Sequence, residues 1–196
     1  MSTFHLQPPE VFQRDIYHYY NGMTTFGSAG GKVDEPISSN PDTFFEVDAI
    51  QAGSTGVIIG KFLPPHRGHE YLGHFASAFV DNLWIFVCSL PGDPIPGQLR
   101  VTWMGKIFPR ARVIHIQEVN PAANRQKPGA QQIWARAVME HLEHQPDYVF
   151  ASEEYGWEFA RSLGARFIPV DPSRDQFPIS GTELRSRPFR HWHYLP

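Results

Sequence analysis

The stretch Thr55-Gly-Val-Ile-Ile-Gly-Lys-Phe-Leu-Pro-Pro-His-Arg-Gly-His69 decides the fold. Its first part, Val57–Phe62, is an apolar run with the length of a buried strand, interrupted by Gly60. Its end starts a helix. From His69 to Val80 the apolar residues Tyr71, Leu72, Phe75, Ala76, Phe79 and Val80 recur at i, i+1, i+4 and i+5, the stripe of an amphipathic helix. A buried strand running into such a helix is the first half of a βαβ unit, whose next strand must be parallel to the first.

The alternation continues outward. Leu83–Cys88 reads as a second strand, Gln98–Phe108 as a helix and Arg112–Ile116 as a third strand. Ala130–His144 repeats the helical stripe through Ile133, Trp134, Ala137, Val138 and Leu142. Tyr148–Ala151, Tyr155–Leu163 and Phe167–Val170 add a strand, a helix and a fifth strand. Right-handed crossovers then predict an α/β fold: a Rossmann-like, doubly wound, parallel five-stranded sheet with helices on both faces. Such sheets bind ligands outside the carboxyl ends of their strands. The chemistry is expected on the loops after Gly60, Cys88, Ile116, Ala151 and Val170.

The whole chain has 196 residues, 41% hydrophobic and 19% charged, which is too apolar for a disordered chain. No apolar run approaches the roughly 18 residues of a membrane span. The N-terminus shows no basic region leading into an apolar stretch, and the one cysteine, Cys88, cannot form an internal disulfide. Cys88 reads as a small buried hydrophobe. These features set the expectation of a cytoplasmic protein with no membrane partner. A net charge of −3 argues against nucleic-acid binding by bulk electrostatics.

Residues 1–50 read differently, with scattered aromatics and no sustained period. Val11, Ile16 and Tyr19 or Tyr20 predict a short helix within Pro9–Tyr20. Gly27-Ser-Ala-Gly-Gly-Lys32 invites comparison with a phosphate loop, but the glycine spacing is one residue short. Val33 also stands where a Ser or Thr must reach magnesium, so a flexible turn is the better reading. The expected organisation is an N-terminal extension of unknown role over 1–50 and one domain over 51–196.

In the loop after the first strand, His66 and His69 flank Arg67-Gly68 at a helix start. A helix N-terminus offers unpaired N–H groups and partial positive charge. Gly68 permits close backbone approach, and the imidazoles supply donors for phosphate oxygens. Two solvent-facing histidines would explain less, because Lys61, the glycines and the switch-point location all agree. After the fifth strand comes Ile179-Ser-Gly-Thr-Glu-Leu-Arg185, where Ser180 or Thr182 can cap a second helix beside Glu183.

These two segments resemble the GxFxPxHxGH and ISGTxxR signatures of the nucleotidyltransferase superfamily. Trp103-Met104, Trp134, Phe150-Ala-Ser-Glu-Glu-Tyr-Gly156, Val170-Asp-Pro-Ser-Arg174 and Arg187-Pro-Phe-Arg-His-Trp192 narrow the resemblance. They are similar to the nicotinamide-nucleotide adenylyltransferase domain of bifunctional bacterial NAD-biosynthesis enzymes, over roughly Thr55–Pro196. Those enzymes also carry a ribosylnicotinamide kinase domain. No Walker A sequence occurs here, so kinase activity is not expected.

The resemblance implies transfer of AMP from ATP to nicotinamide mononucleotide, giving NAD and pyrophosphate. It assigns His66, His69 and Lys61 to catalysis on the ATP phosphates. Gly60, Phe62 and Gly68 join them in ATP binding, as do Ser180, Gly181, Thr182 and Arg185 on the β- and γ-phosphates. Trp134 is the candidate for stacking on the nicotinamide ring, with plain core as its alternative. Arg174 is favoured over Arg100 near the acceptor, although either could be a solvated charge. Ser152 and Glu153 would border the adenosine. Magnesium is expected on the phosphates, with no protein metal ligand. Other phosphate acceptors (nicotinate mononucleotide, phosphopantetheine, a polyol phosphate) and a non-catalytic nucleotide sensor are the alternative readings. The choice between amide and acid, and any homo-oligomer, stay open.

Overall fold

The computed structural model describes residues 53–117 and 129–196. The extension over 1–50, with its expected helix and turn, lies outside the described residues. Five strands and their connecting helices follow one another as β1 (Thr55–Gly60), α1 (Arg67–Phe79), β2 (Asn82–Ser89), α2 (Gly97–Ile107), β3 (Arg112–Gln117), α3 (Ala130–Met139), β4 (Tyr148–Ala151), α4 (Tyr155–Leu163) and β5 (Arg166–Pro169). Two short helices, α5 (Gly181–Ser186) and α6 (Pro188–His191), and a 3₁₀ turn over Trp192–Tyr194 complete the described chain. Every strand pairing is parallel and the order is β3-β2-β1-β4-β5. The chain therefore winds outward from β1 in both directions, and the switch point lies between β1 and β4.

The strands are continuous apolar runs because both faces are covered. Successive residues alternate between two cores. Val57 and Ile59 of β1, with Phe86 and Cys88 of β2, pack with α3 and α4 through Trp134, Ala135, Val138, Phe159, Ala160 and Leu163. Ile58, Ile85 and Val87 point the other way, to Leu72 and Ala76 of α1 and Met104 of α2. This is the expected sheet with helices on both faces, and Cys88 is a buried member of its core.

β1 ends at Gly60, where the loop is expected to begin, and Phe62 beyond it takes a left-handed backbone (φ 48°) that cannot continue a strand. The largest boundary difference lies in the third helix. α3 ends at Met139, five residues before His144. The following Gln145-Pro146 disfavours helix at the residue before proline, and the chain must turn there into β4. Among the described residues no helix is long and apolar enough to cross a membrane.

Candidate active site

The carboxyl ends of β1, β4 and β5 open onto a cavity of about 340 Å³ between α1 and α5. All ten residues expected to bind ATP line it: Gly60, Lys61, Phe62, His66, Gly68 and His69 from the first motif, and Ser180, Gly181, Thr182 and Arg185 from the second. Arg174, Ser152 and Glu153 line it too, from the loops after β5 and β4.

His66 caps α1 from an extended backbone, and its carbonyl accepts the N–H groups of His69 (2.8 Å) and Glu70 (3.0 Å). In return the His69 Nδ1 accepts the His66 backbone N–H at 3.2 Å. That bond makes Nδ1 the acceptor, so the proton of a neutral His69 sits on Nε2 as a donor. The two imidazoles stack with centroids 3.7 Å apart, and Phe62 meets His69 edge-on at 4.9 Å. His66 is only 6% exposed, and its Nδ1 is buried with no hydrogen-bond partner among the described residues. Burial, helped by the Arg174 charge, pushes the His66 pKa down to about 4. The ring is therefore neutral at pH 7, with polar capacity unspent inside the cavity.

Ser180 caps α5, its Oγ accepting the Glu183 N–H at 3.1 Å. The two motifs meet at Leu63. The Arg185 Nη1 donates to the Leu63 carbonyl across 122 residues of sequence, and its Nη2 donates to Thr182 Oγ1 at 3.2 Å. A Cβ on Gly181 would stand 2.8 Å from that same carbonyl oxygen, so only glycine lets α5 approach this closely. On the far wall Arg174, itself left-handed (φ 56°), pairs with Glu153 at 3.1 Å. The Asp171 carboxylate accepts the Asp175 N–H at 2.8 Å and shapes the turn that carries Arg174.

Three expectations need correction or extension. Trp134 is 3% exposed within the core beneath the sheet, and it does not line the cavity. The stripe that makes α3 amphipathic includes the indole, and burial of its large apolar surface decides its direction. Arg100 is neither a solvated charge nor a lining residue: it is wholly buried. Its guanidinium bonds the carbonyls of Lys61, Cys88 (2.8 Å) and Ile95 (3.0 Å), the Ser89 hydroxyl (2.9 Å) and the Asp93 carboxylate (3.0 Å). Lys61, expected on phosphate, is held by Asp93 at 2.7 Å. Asp93 went unread in the sequence, although it lies in the loop after β2 where this topology places chemistry. Tyr155, read in the sequence only as part of the Phe150–Gly156 segment and given no role there, lines the cavity, and its hydroxyl donates to the Ile59 carbonyl at 2.7 Å.

Among the described residues no group of three or more His, Cys, Asp or Glu side chains could hold a metal ion.

No family model matches the chain. The chain is homologous to the trifunctional NAD biosynthesis/regulator protein NadR: it is 30% identical to the Escherichia coli protein over 164 aligned residues, 74% of this chain and 40% of the relative. The Salmonella typhimurium protein of the same name is 30% identical over 158 residues, 72% of this chain and 38% of the relative. The chain thus spans about 40% of the length of the curated relatives it matches. Its fold is also that of a solved NadR protein in complex with NAD and AMP-PNP (TM-score 0.56, 20% identity, 73% of this chain and 44% of that one). A bifunctional NMN adenylyltransferase/ADP ribose pyrophosphatase from Francisella tularensis, complexed with AMP and a manganese ion, shares it as well (TM-score 0.53, 16% identity, 72% of this chain and 44% of that one).

Proposed function

Starting from this homology to the NadR proteins, we propose that the chain is a nicotinamide-nucleotide adenylyltransferase, moving AMP from ATP to nicotinamide mononucleotide and releasing pyrophosphate. The observation that carries the reading is the meeting of both motifs on one cavity, with the His66–His69 pair facing the Ser180–Arg185 turn. A cytoplasmic location belongs to the same proposal.

The acceptor's 5′-phosphate is already an anionic nucleophile, so attack on the α-phosphorus needs no general base. Catalysis reduces to placing the two phosphates in line and stabilising charge on the α-phosphate and the departing pyrophosphate. The His69 ring, oriented by the bond at its Nδ1, would donate from Nε2 to a phosphate oxygen. The neutral ring of His66 has an unspent nitrogen for a second oxygen or for a proton. Arg185 and Thr182, already hydrogen-bonded to each other, present a guanidinium fork and a hydroxyl to the β- and γ-phosphates. Arg174, once released from Glu153, would serve the acceptor side. Magnesium carried on the phosphates would neutralise part of the leaving-group charge.

The test is a product assay with ATP, magnesium and a panel of acceptors: nicotinamide mononucleotide, nicotinate mononucleotide, phosphopantetheine and a polyol phosphate. NAD and pyrophosphate formed in equal amounts from the first acceptor support the reading. Faster transfer to another acceptor moves the assignment to that substrate. ATP binding with no transfer to any acceptor makes the chain a nucleotide sensor.

A further inference from the structure

We propose that Asp93, anchored by the buried guanidinium of Arg100, is a positioning residue that holds the Lys61 ammonium at the phosphate cavity, a role that rests on the adenylyltransferase reading. Lys61 is gripped at both ends. Its carbonyl accepts from Arg100 Nη1, and its Nζ pairs with Asp93 Oδ1 at 2.7 Å. The other carboxylate oxygen, Oδ2, accepts from Arg100 Nη2 at 3.0 Å and from the Leu90 N–H at 3.1 Å. The carboxylate therefore cannot turn away from the lysine without breaking two further bonds.

Arg100 spends all five of its N–H donors on this region. Through them it ties the residue after β1, the last two residues of β2 and the loop from Leu90 to Ile95 into one unit. The Ser89 hydroxyl, which accepts from Arg100, also hydrogen-bonds His115 Nε2 at 2.7 Å and extends the network to β3. A Cβ on Gly97 would fall 2.0 Å from that hydroxyl and 2.1 Å from the imidazole, so the α2 backbone closes over the pair. Burial, with the Arg100 charge, holds the His115 pKa below its ordinary value, which favours the neutral ring beside this network. Burial by itself would raise the Asp93 carboxyl, but the Lys61 and Leu90 hydrogen bonds and the Lys61 and Arg100 charges hold it below its ordinary value.

Stability alone is a poor reason for such a network, because buried ion pairs can often be replaced by apolar side chains of similar volume at little loss. What apolar packing could not do is fix an ammonium. The Lys61 side chain keeps 35% of its surface exposed while lining the cavity, so the charge is both tethered and reachable. A lysine stem is long and flexible. Held in place beforehand, its charge stabilises a transition state without being ordered during the reaction. Asp93 also competes with phosphate for that ammonium in the ground state, so its effect on turnover and its effect on binding should have opposite signs.

A double-mutant cycle tests this on the full chain, using wild type, Lys61→Ala, Asp93→Asn and the double variant. Turnover is measured with the acceptor panel and magnesium ATP, and ATP affinity by calorimetry. Asp93→Asn is expected to lower turnover by about 10- to 100-fold, the scale of a misplaced catalytic group, while tightening ATP binding. In the Lys61→Ala background the same substitution should change neither quantity. Equal losses in both backgrounds would show that Asp93 acts on the fold and not through Lys61, and would overturn the proposal while leaving the adenylyltransferase reading intact. If wild type transfers to no acceptor, that reading fails, and the cycle on ATP affinity alone decides the proposal: a Lys61-dependent change supports it and its absence overturns it. ATP binding to none of the four proteins overturns both. Should Asp93→Asn not fold, Asp93→Glu, which keeps a charge for Arg100 but displaces the carboxylate, enters the same cycle with the same criteria.

Discussion

The imidazole of His66 stacks on that of His69 at 3.7 Å, with 25° between the ring planes, while the His66 backbone N–H binds the His69 Nδ1. One histidine thus selects the tautomer of the other. The arrangement orients His69 as a donor at Nε2 and leaves His66 a buried, neutral ring, and the two should fail differently when altered.

His69→Ala is expected to lower turnover by about 10²–10³-fold, or roughly 2.7–4 kcal/mol, the usual loss for one oxyanion donor. ATP affinity should change modestly, because a donor used mainly in the transition state adds little to ground-state binding. The variant also loses the acceptor for the His66 N–H, an N-terminal cap contribution of about 1 kcal/mol. Steady-state kinetics with ATP titrations, alongside a thermal melt, checks both parts. Near-normal transfer by a variant lacking both His66 and His69 side chains would falsify the assignment of this motif to catalysis.

Stability should depend on pH through His66. Its folded pKa of about 4 lies below the ordinary 6.5, so between those values the unfolded chain binds a proton that the folded chain refuses. The effect is absent above pH 6.5, grows as pH falls, and levels off below about 4. Its size is bounded at up to about 3.5 kcal/mol, because each tenfold difference in proton affinity between the two states is worth about 1.4 kcal/mol. Urea unfolding at pH 7.5 and 5 should show the loss, and His66→Gln should reduce it. An unchanged pH slope in that variant would place the acid sensitivity elsewhere. Phosphates beside the ring should raise its proton affinity, so ATP binding near pH 6 should take up protons, read by calorimetry in two buffers of different ionisation enthalpy.

Trp134→Ala should act on the fold. Emptying a core site of this size costs about 3–5 kcal/mol, seen as a lower melting temperature. The Michaelis constants for ATP and acceptor should move together or not at all. A selective loss of acceptor affinity with an unchanged melt would return the indole to the nicotinamide ring.

Gly181→Ala probes the contact between the motifs. The added methyl meets the Leu63 carbonyl at 2.8 Å, a backbone atom that cannot rotate aside. Overpacking of this kind costs about 1–3 kcal/mol. The loss should appear as weaker ATP binding, because the displaced helix carries Thr182 and Arg185. Wild-type ATP affinity in the variant would mean that α5 does not hold the nucleotide.

A chain beginning at Gln51 should fold by itself, since both described core clusters are built from residues after Thr55. Cooperative unfolding of that shorter chain would support the proposed division at residue 50. A molten state would assign part of 1–50 to the core.

Local pattern carried most of the fold and half of the chemistry. Five apolar runs of strand length, with helical stripes between them, determine a parallel sheet covered on both faces, because the periods of burial differ for strands and helices. The two motifs needed only the topology to bring them together, and all ten residues expected to bind ATP line the cavity. The tertiary structure alone decided which partners the charged and aromatic side chains took. Arg100 reads as a ligand-side or solvated arginine on a helix, yet it bonds a carbonyl 39 residues away and is wholly buried. Asp93 carries no motif, and its meaning comes from Lys61, 32 residues before it. Trp134 belongs to an apolar stripe, which says that a face is buried but not whether core or ligand covers it. Strand and helix preferences act between near neighbours, so they can be read along the chain. The fate of a buried charge or ring depends on what the folded backbone places within a few ångströms, which is set only when the strands have found their order.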